Sequence, residues 1–344
     1  MKKGFKLASL VAAGALVLAA CGGSGDTATD ESSAPVSDIK VGLAYDIGGR
    51  GDQSFNDSAA AGLDKAAADF GVQINELEAA AGETDAEKEE RLRLLASGGY
   101  NPVIAVGFAY ATALGKVAPE FPEVNFAIID SGDVTGDNIA NLVFAEEQGS
   151  FLVGVIAAQA SKAGNVGFIG GVNTPLIKKF EVGFAAGVKA VNANAKVQIK
   201  YLSEFPDFSG FGDPAKAKVT AEGMFDAGAD VVYHAAGGSG AGLFEAAKAA
   251  GKLAIGVDSD QYLTADPAVQ DVILTSMLKR VDVAVYNMIK SFVDGAPLTG
   301  SNIFDLAGDG VGYSTSNSAV SEYTAKADEF AEQIKSGAVS VPTE

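Results

Sequence analysis

Short apolar runs alternate with amphipathic stretches through almost the whole chain. Residues 39–45 (IKVGLAY) form a compact β-type run. Residues 57–70 have the small-apolar content of a helix, with Asp57 and Ser58 as candidate caps and Gly71 as its stop. The pattern then predicts a strand over 72–77, a charged helix over 84–96 with Leu92, Leu94 and Leu95 facing inward, and a strand over 102–106. A helix over 109–118 and a strand over 124–129 follow. The rhythm resumes with helix 149–160, strand 166–169, helix 178–191, strand 197–201, helix 214–227 and strand 230–234. It closes with helix 242–250, strand 253–257, a β-type segment over 272–277 and helix 281–292. Such alternation predicts right-handed βαβ units, and more of them than one sheet holds comfortably, so two doubly wound parallel-sheet α/β lobes are expected.

The first residues follow a different pattern. Lys2, Lys3 and Lys6 precede an apolar run over 7–20, short of the roughly 20 residues that span a bilayer and suited to a signal-peptide core. The run ends in Leu18-Ala19-Ala20-Cys21 and is followed by Gly22 and Gly23, which resembles a bacterial lipobox. That resemblance implies that Cys21 is diacylated and becomes the mature N-terminus. Residues 22–38 hold Gly, Ser, Thr and Asp with Val36 as the one large apolar side chain, the composition of a flexible tether. No later apolar stretch reaches transmembrane length, so the expectation is a soluble, lipid-anchored body.

Composition narrows the chemistry. The 344 residues include one His, one Cys and no Trp. A multi-histidine zinc site is excluded, and any triad chemistry must run through His234. A single cysteine excludes an intrachain disulfide framework and iron–sulfur clusters. With 25 basic against 44 acidic side chains the formal charge is −19, and −22 once the three leader lysines are removed. Nucleic acid is therefore not an expected partner, because phosphate binding needs a basic footprint.

The ends of the predicted strands carry the candidate site. Asp46 follows the first strand, Gly107-Phe108 the third and Asp130 the fourth; Gly170-Gly171, Ala235–Gly238 and Asp258 occupy the same place in the second half. Ligands of open α/β sheets bind outside these carboxyl ends. Three carboxylates with few cations nearby suit a ligand rich in hydroxyl and amino donors, and do not suit a phosphate or carboxylate. Phe55, in the Gly-rich loop 46–56, is either a hydrophobic staple or a stacking platform. The 205–213 loop offers a second aromatic cluster, so that one loop from each half is placed to clamp a flat ring. The 235–242 loop fails the G-x-G-x-x-G fingerprint and reads as a backbone-donor loop at a helix start. Lys279 falls in the segment between the β-type run 272–277 and the helix over 281–292.

Taken in order, D-x-G-G-x-x-D-x-S-F-N at 46–56, I-I-D at 128–130, V-G-F-I-G-G at 166–171 and F-x-x-G-F-x-x-G at 180–187 carry a resemblance. It extends through G-A-D-V-V at 228–232, A-A-G-G-S-G at 235–240, I-G-V-D-S-D-Q at 255–261, L-T-S-M-L-K at 274–279 and I-K-S-G-A-V-S-V-P at 334–342. With the lipobox, this is similar to the basic membrane lipoprotein family, purine-nucleoside receptor lipoproteins of ABC transporters. The likeness spans nearly the whole mature chain, although this member is acidic where the family name says basic.

The resemblance implies a type I periplasmic-binding-protein fold, two lobes joined by three hinge strands and closing on a nucleoside. It implies a signal peptide over 1–20, the acylated Cys21 and tether over 21–38, an N-terminal lobe from 39–144 plus 260–296, and a C-terminal lobe from 145–259 plus 297–344. Phe55 and an aromatic of the 205–213 loop, Phe211 or its rival Phe208, would lie on the two faces of the purine. Asn56 and Asp130 would read the base edge, Asp258 and Lys279 would hold the ribose, Asp46 would lie nearby, and Gly238 would supply a backbone contact. The implied protein is a non-catalytic monomer without cofactor, on the outer face of the bacterial cytoplasmic membrane, delivering cargo to permease and ATPase subunits. A sugar or signal-molecule receptor of the same fold and, more distantly, a nucleoside-cleaving enzyme are the alternatives.

Overall fold

The computed structural model describes residues 37–80 and 82–344; the expected leader, Cys21 and tether residues 22–36 lie outside the described residues. The body takes hold of the chain just before the first strand, where the Ser37 amide donates to the Gly71 carbonyl at 3.0 Å. The first sheet draws on β1 (Lys40–Ala44), β2 (Gln73–Leu77), β3 (Val103–Ala105), β4 (Phe126–Ile129), β5 (Ile139–Phe144) and, from far along the chain, β11 (Gly300–Phe304). The second uses β6 (Asn165–Asn173), β7 (Lys196–Glu204), β8 (Val231–Ala235), β9 (Leu253–Asp258), β10 (Ile273–Lys279) and β12 (Val311–Tyr313). Their orders are β11-β5-β4-β3-β1-β2 and β12-β10-β9-β8-β6-β7. Every pairing is parallel except β10 with β12. In both sheets the order reverses next to the first strand, which creates the crevice where doubly wound sheets bind ligands.

The helices are α1 (Phe55–Phe70), α2 (Asp85–Ser97), α3 (Ala111–Val117), α4 (Glu146–Ala160), α5 (Pro175–Val191), α6 (Pro214–Asp226), α7 (Gly240–Ala250), α8 (Gln261–Thr264), α9 (Val281–Val293) and α10 (Thr324–Lys335). Helix α9 packs on α1 in the first lobe, whereas α4 packs on α5 in the second. The chain therefore crosses between lobes at Ala145, at Arg280 and over 305–310. The lobe boundaries expected from the sequence shift accordingly. Residues 273–279 pair in the second sheet rather than joining the first lobe, and 300–304 pair with β5 in the first sheet. Partner choice between distant strands is non-local, so the apolar pattern does not reveal it.

Strands β5, β11 and β12 and helices α8 and α10 were not evident in the pattern. The run of β5 is interrupted by Asn141, which is buried because its Nδ2 donates to the Val134 carbonyl at 2.8 Å. Strand β11 is a largely exposed edge and β12 has three residues, too few to show alternation. Helix α1 starts at Phe55, two residues before the expected caps. The Asp52 carboxylate accepts from the amides of Ser54 (2.9 Å), Asn56 (2.9 Å) and Asp57 (3.1 Å), while Asp57 turns back to the amides of Gly51 (2.7 Å) and Gln53 (2.9 Å). Gly71 ends the helix as expected, at φ 66°.

The glycines of the 180–187 motif have a packing role. A β-carbon on Gly183 would lie 2.3 Å from the Glu147 carbonyl oxygen, and one on Gly187 would lie 2.0 Å from that of Phe151. Both distances are within van der Waals exclusion, so α5 rides directly on the backbone of α4. Helix propensity alone favours alanine at Gly187. We expect Gly187→Ala to destabilise instead, by about 1–3 kcal/mol, because the overpacked methyl forces the helices apart. Urea unfolding of the variant checks this.

Candidate functional site

Strand ends from both sheets converge on a cleft of about 520 Å³, counting its part open to solvent. Of the residues singled out in the sequence, Asp46, Phe55, Asn56, Asp130, Phe211, Asp258 and Lys279 all line it. Gly238 does not; its neighbour Gly237, at φ 53°, forms that part of the wall, and Gly238 faces Asp52 across the mouth. Phe208 lies in an adjoining hollow, which separates the two candidate aromatics of that loop.

The backbone makes room for these side chains at specific points. Asp46 ends the first-strand run with its carboxylate set against Gly107, where a β-carbon would lie 2.2 Å from Oδ2. Asp130 (φ 68°) and Asp258 (φ 64°) occupy the left-handed region, which aspartate tolerates better than most residues. Backbone strain of this kind clusters at functional sites. Gly170 and Gly171 are inside β6 rather than beyond it. A β-carbon on Gly171 would come within 2.4 Å of the Phe211 ring, so this glycine seats the aromatic.

Lys279 is the cation at the centre. Its ammonium is 2.5 Å from Asp130 Oδ2 and 3.7 Å from Glu146 Oε1, and it lies 4.9, 5.1 and 5.5 Å from the ring centres of Phe55, Phe144 and Phe180. The residue is 1% exposed. Burial by itself pulls the ammonium down, but Asp130, Glu146 and Asp258 outweigh it and hold the group above the ordinary lysine value. Glu146 is anchored on its other side by Lys179 at 3.3 Å. Because Glu146 follows the first interlobe crossing and Lys279 precedes the second, this cluster sits at the junction of the lobes.

Among the described residues, four carboxylates line the cleft, from Asp46, Asp52, Asp130 and Asp258, against one ammonium, that of Lys279. Among the described residues, none donates a hydrogen bond to the buried Asp130 Oδ1. An acceptor in that state calls for a donor. Asn56 is differently placed: its Oδ1 accepts from the Asp46 amide at 3.0 Å, and its Nδ2 donates to Asp52 at 3.0 Å and to the Ile47 carbonyl at 3.3 Å. It shapes the loop more than it presents free donors. His234 is buried in the core, with Nε2 2.9 Å from Gln261 Oε1, and burial pushes it down to about 4. The same Gln261 oxygen accepts the Val257 amide at 2.9 Å, so the neutral imidazole props up the end of β9 next to Asp258.

Phe108, marked at a strand end, and several further lining residues were given no ligand role from the sequence. Phe108 follows β3 and meets Phe208 and Phe211 of the other lobe at ring distances of 5.7 and 6.5 Å. Phe180, Leu176 and Ile177 come from the start of α5, and Asp52 from the first loop. The position of Phe108 at a strand end was a usable signal; nothing in the pattern distinguished Phe180 from a core residue.

Burial pushes Asp46 and Glu146 up to about 7 and Asp258 up to about 6, the last offset by Lys279 and Ser54. These folded-state values lie above the unfolded ones, near 4. The stability they contribute is therefore complete below about pH 4 and lost as pH rises through about 6–7. We expect the melting temperature of the protein without added ligand to fall between about pH 5 and pH 7.5, measured by scanning calorimetry.

Residues 39–344 match the family described as Bmp, ABC transporter substrate-binding protein PnrA-like. The chain is 35% identical to the CD4+ T-cell-stimulating antigen of Listeria innocua, over 99% of each chain. It is 32% identical to the ABC transporter nucleoside-binding protein BmpA of Lactococcus lactis, again over 99% of each. A protein of Pyrococcus abyssi named only as an uncharacterized lipoprotein is 34% identical over 86% of this chain and 73% of its own. Among solved structures, an ABC transporter solute-binding protein from Aeropyrum pernix is similar with TM-score 0.78 and 30% identity, over 89% of this chain and 94% of that one.

Proposed function

The chain belongs to the Bmp family of PnrA-like ABC transporter substrate-binding proteins, and from that premise we propose that its cargo is a purine nucleoside, taken up in the cleft between the lobes. Permease and ATPase subunits are the partners that such a protein serves. The observation that carries the nucleoside reading is the lining itself: aromatic rings from both lobes beside four carboxylates and one buried ammonium. A neutral ligand with a flat face and several N–H and O–H donors answers both features. An anionic ligand would be repelled by the carboxylates. The name of the Lactococcus relative points the same way.

In this reading Phe55 and Phe211 stack on the base, worth roughly 1–3 kcal/mol per aromatic contact and tolerant of base identity. The Asp130 and Asp258 carboxylates accept ring N–H, exocyclic amino and ribose hydroxyl protons, and thereby select among donors. Asp46 lies at the first-lobe wall, Asn56 holds the loop that carries Phe55, and Lys279 neutralises Asp130 while offering its remaining protons to ribose oxygens. Binding breaks no covalent bond. The protein works as a monomer on the outer face of the cytoplasmic membrane, tethered through a lipid on Cys21.

The decisive experiment is mass spectrometry of small molecules released on denaturing the freshly purified protein, followed by calorimetric competition among guanosine, inosine, adenosine, ribose and galactose. A purine nucleoside is expected in the release and as the tightest competitor. Preference for a free sugar would replace this reading with that of a sugar receptor, and free base appearing from inosine would make the protein an enzyme.

A further inference from the structure

We propose that Ser54 is the closure latch of the cleft: its hydroxyl ties the first lobe to the end of β9 and orients the Asp258 carboxylate toward the cargo. This rests on the reading above that the lobes close over a small molecule. A serine at a helix N-cap ordinarily turns its hydroxyl onto the amides of its own helix. Ser54 holds that position at α1 and makes no such bond. Asp52 caps the helix in its place, taking the amides of Ser54, Asn56 and Asp57.

The freed hydroxyl crosses between lobes. It donates to Asp258 Oδ2 at 2.7 Å and lies 3.3 Å from the Val257 carbonyl oxygen. A return contact comes from Ser259, whose hydroxyl donates to the Ser54 carbonyl at 2.8 Å. Ser54 is 0% exposed and Asp258 7%, so the bond to the carboxylate is shielded from water, where charge-assisted bonds are strongest. Phe55 and Asn56 follow directly and line the cleft. One hydroxyl therefore sets the lobe separation, the orientation of Asp258 and the position of the stacking ring. A carboxylate has about four lone-pair sites, so Asp258 can accept from Ser54 and from cargo together. Cargo binding and closure are coupled at that side chain.

The test compares Ser54→Ala and Ser259→Ala with wild type in the full chain. Hydrogen exchange is followed with and without inosine, and inosine association and dissociation are followed by stopped flow. Both variants are expected to exchange faster in segments 46–56 and 257–261, one from each lobe, with inosine leaving roughly tenfold faster and associating at a rate within about twofold of wild type. Faster exchange confined to the first turn of α1 is the signature of a local helix-cap role and overturns the latch. Wild-type exchange on the 257–261 side in both variants overturns it equally. A wild-type protein that binds no inosine removes the nucleoside reading, while the exchange comparison without ligand still decides whether Ser54 holds the lobes together.

Discussion

Replacing Lys279 by methionine is expected to lower the unfolding free energy at neutral pH by roughly 3–5 kcal/mol, the usual loss when one side of a buried ion pair is removed. Methionine keeps much of the volume among Phe55, Phe144 and Phe180, so the loss reports the charge. The variant leaves the carboxyls of Glu146 and Asp258 without the ammonium that offsets their burial. Buried carboxyls deprived of a cation take up protons more readily in the folded state. Stability is therefore regained as pH falls, and the deficit at about pH 5 should be clearly smaller than at about pH 7.5. Urea unfolding at the two pH values measures it. Equal deficits would mean that Lys279 acts through packing, and the electrostatic account of the lobe junction would be wrong.

The second large effect concerns cargo. Asp258→Ala and Asp130→Ala should each weaken purine nucleoside binding by at least about tenfold, because a donor on the ligand loses a buried charged acceptor. The two variants are expected to differ in their side effects. Asp130→Ala also strands Lys279, whose remaining carboxylate contact within 4 Å among the described residues is Glu146 at 3.7 Å, so a drop in melting temperature should accompany the lost affinity. Asp258→Ala removes the acceptor of the Ser54 hydroxyl and should release the lobes with a smaller change in stability. Calorimetric titration with inosine and guanosine checks both, and unchanged affinity in the pair would overturn the site assignment.

Much of this was legible residue by residue. Asp46, Asp130 and Asp258 each end an apolar run, and a strand end is a local feature that the pattern marks. Phe55 was legible as an aromatic in a Gly-rich loop, either staple or stacking platform, and Phe211 as one of a loop cluster, preferred over Phe208 only through the family resemblance. Phe180 was illegible because an aromatic on an amphipathic helix reads the same whether it faces a core or a cleft. Glu146 was illegible because a carboxylate at the start of a helix is ordinarily a solvated one; here it is fully buried between Lys279 and Lys179. Gly170 and Gly171 were expected just beyond the strand, at the ligand-binding edge; they lie inside β6, where Gly171 seats the Phe211 ring.

The division between the two sources follows from range. Alternation of apolar runs, turn residues and helix stops acts over a few residues, so the sequence by itself determined the βαβ rhythm, the two-lobe α/β class and the acidic, donor-seeking character of the strand ends. Sheet order, the three crossings and the exchange of β10 and β11 between lobes depend on which strands pair, a choice that carries no local periodicity. Only the tertiary structure brought Lys279 to Asp130, 149 positions away, and Ser54 to Asp258, 204 away. Those two contacts turn a series of polar strand ends into one enclosed site, because a buried charge is stable only where the folded chain supplies its partner.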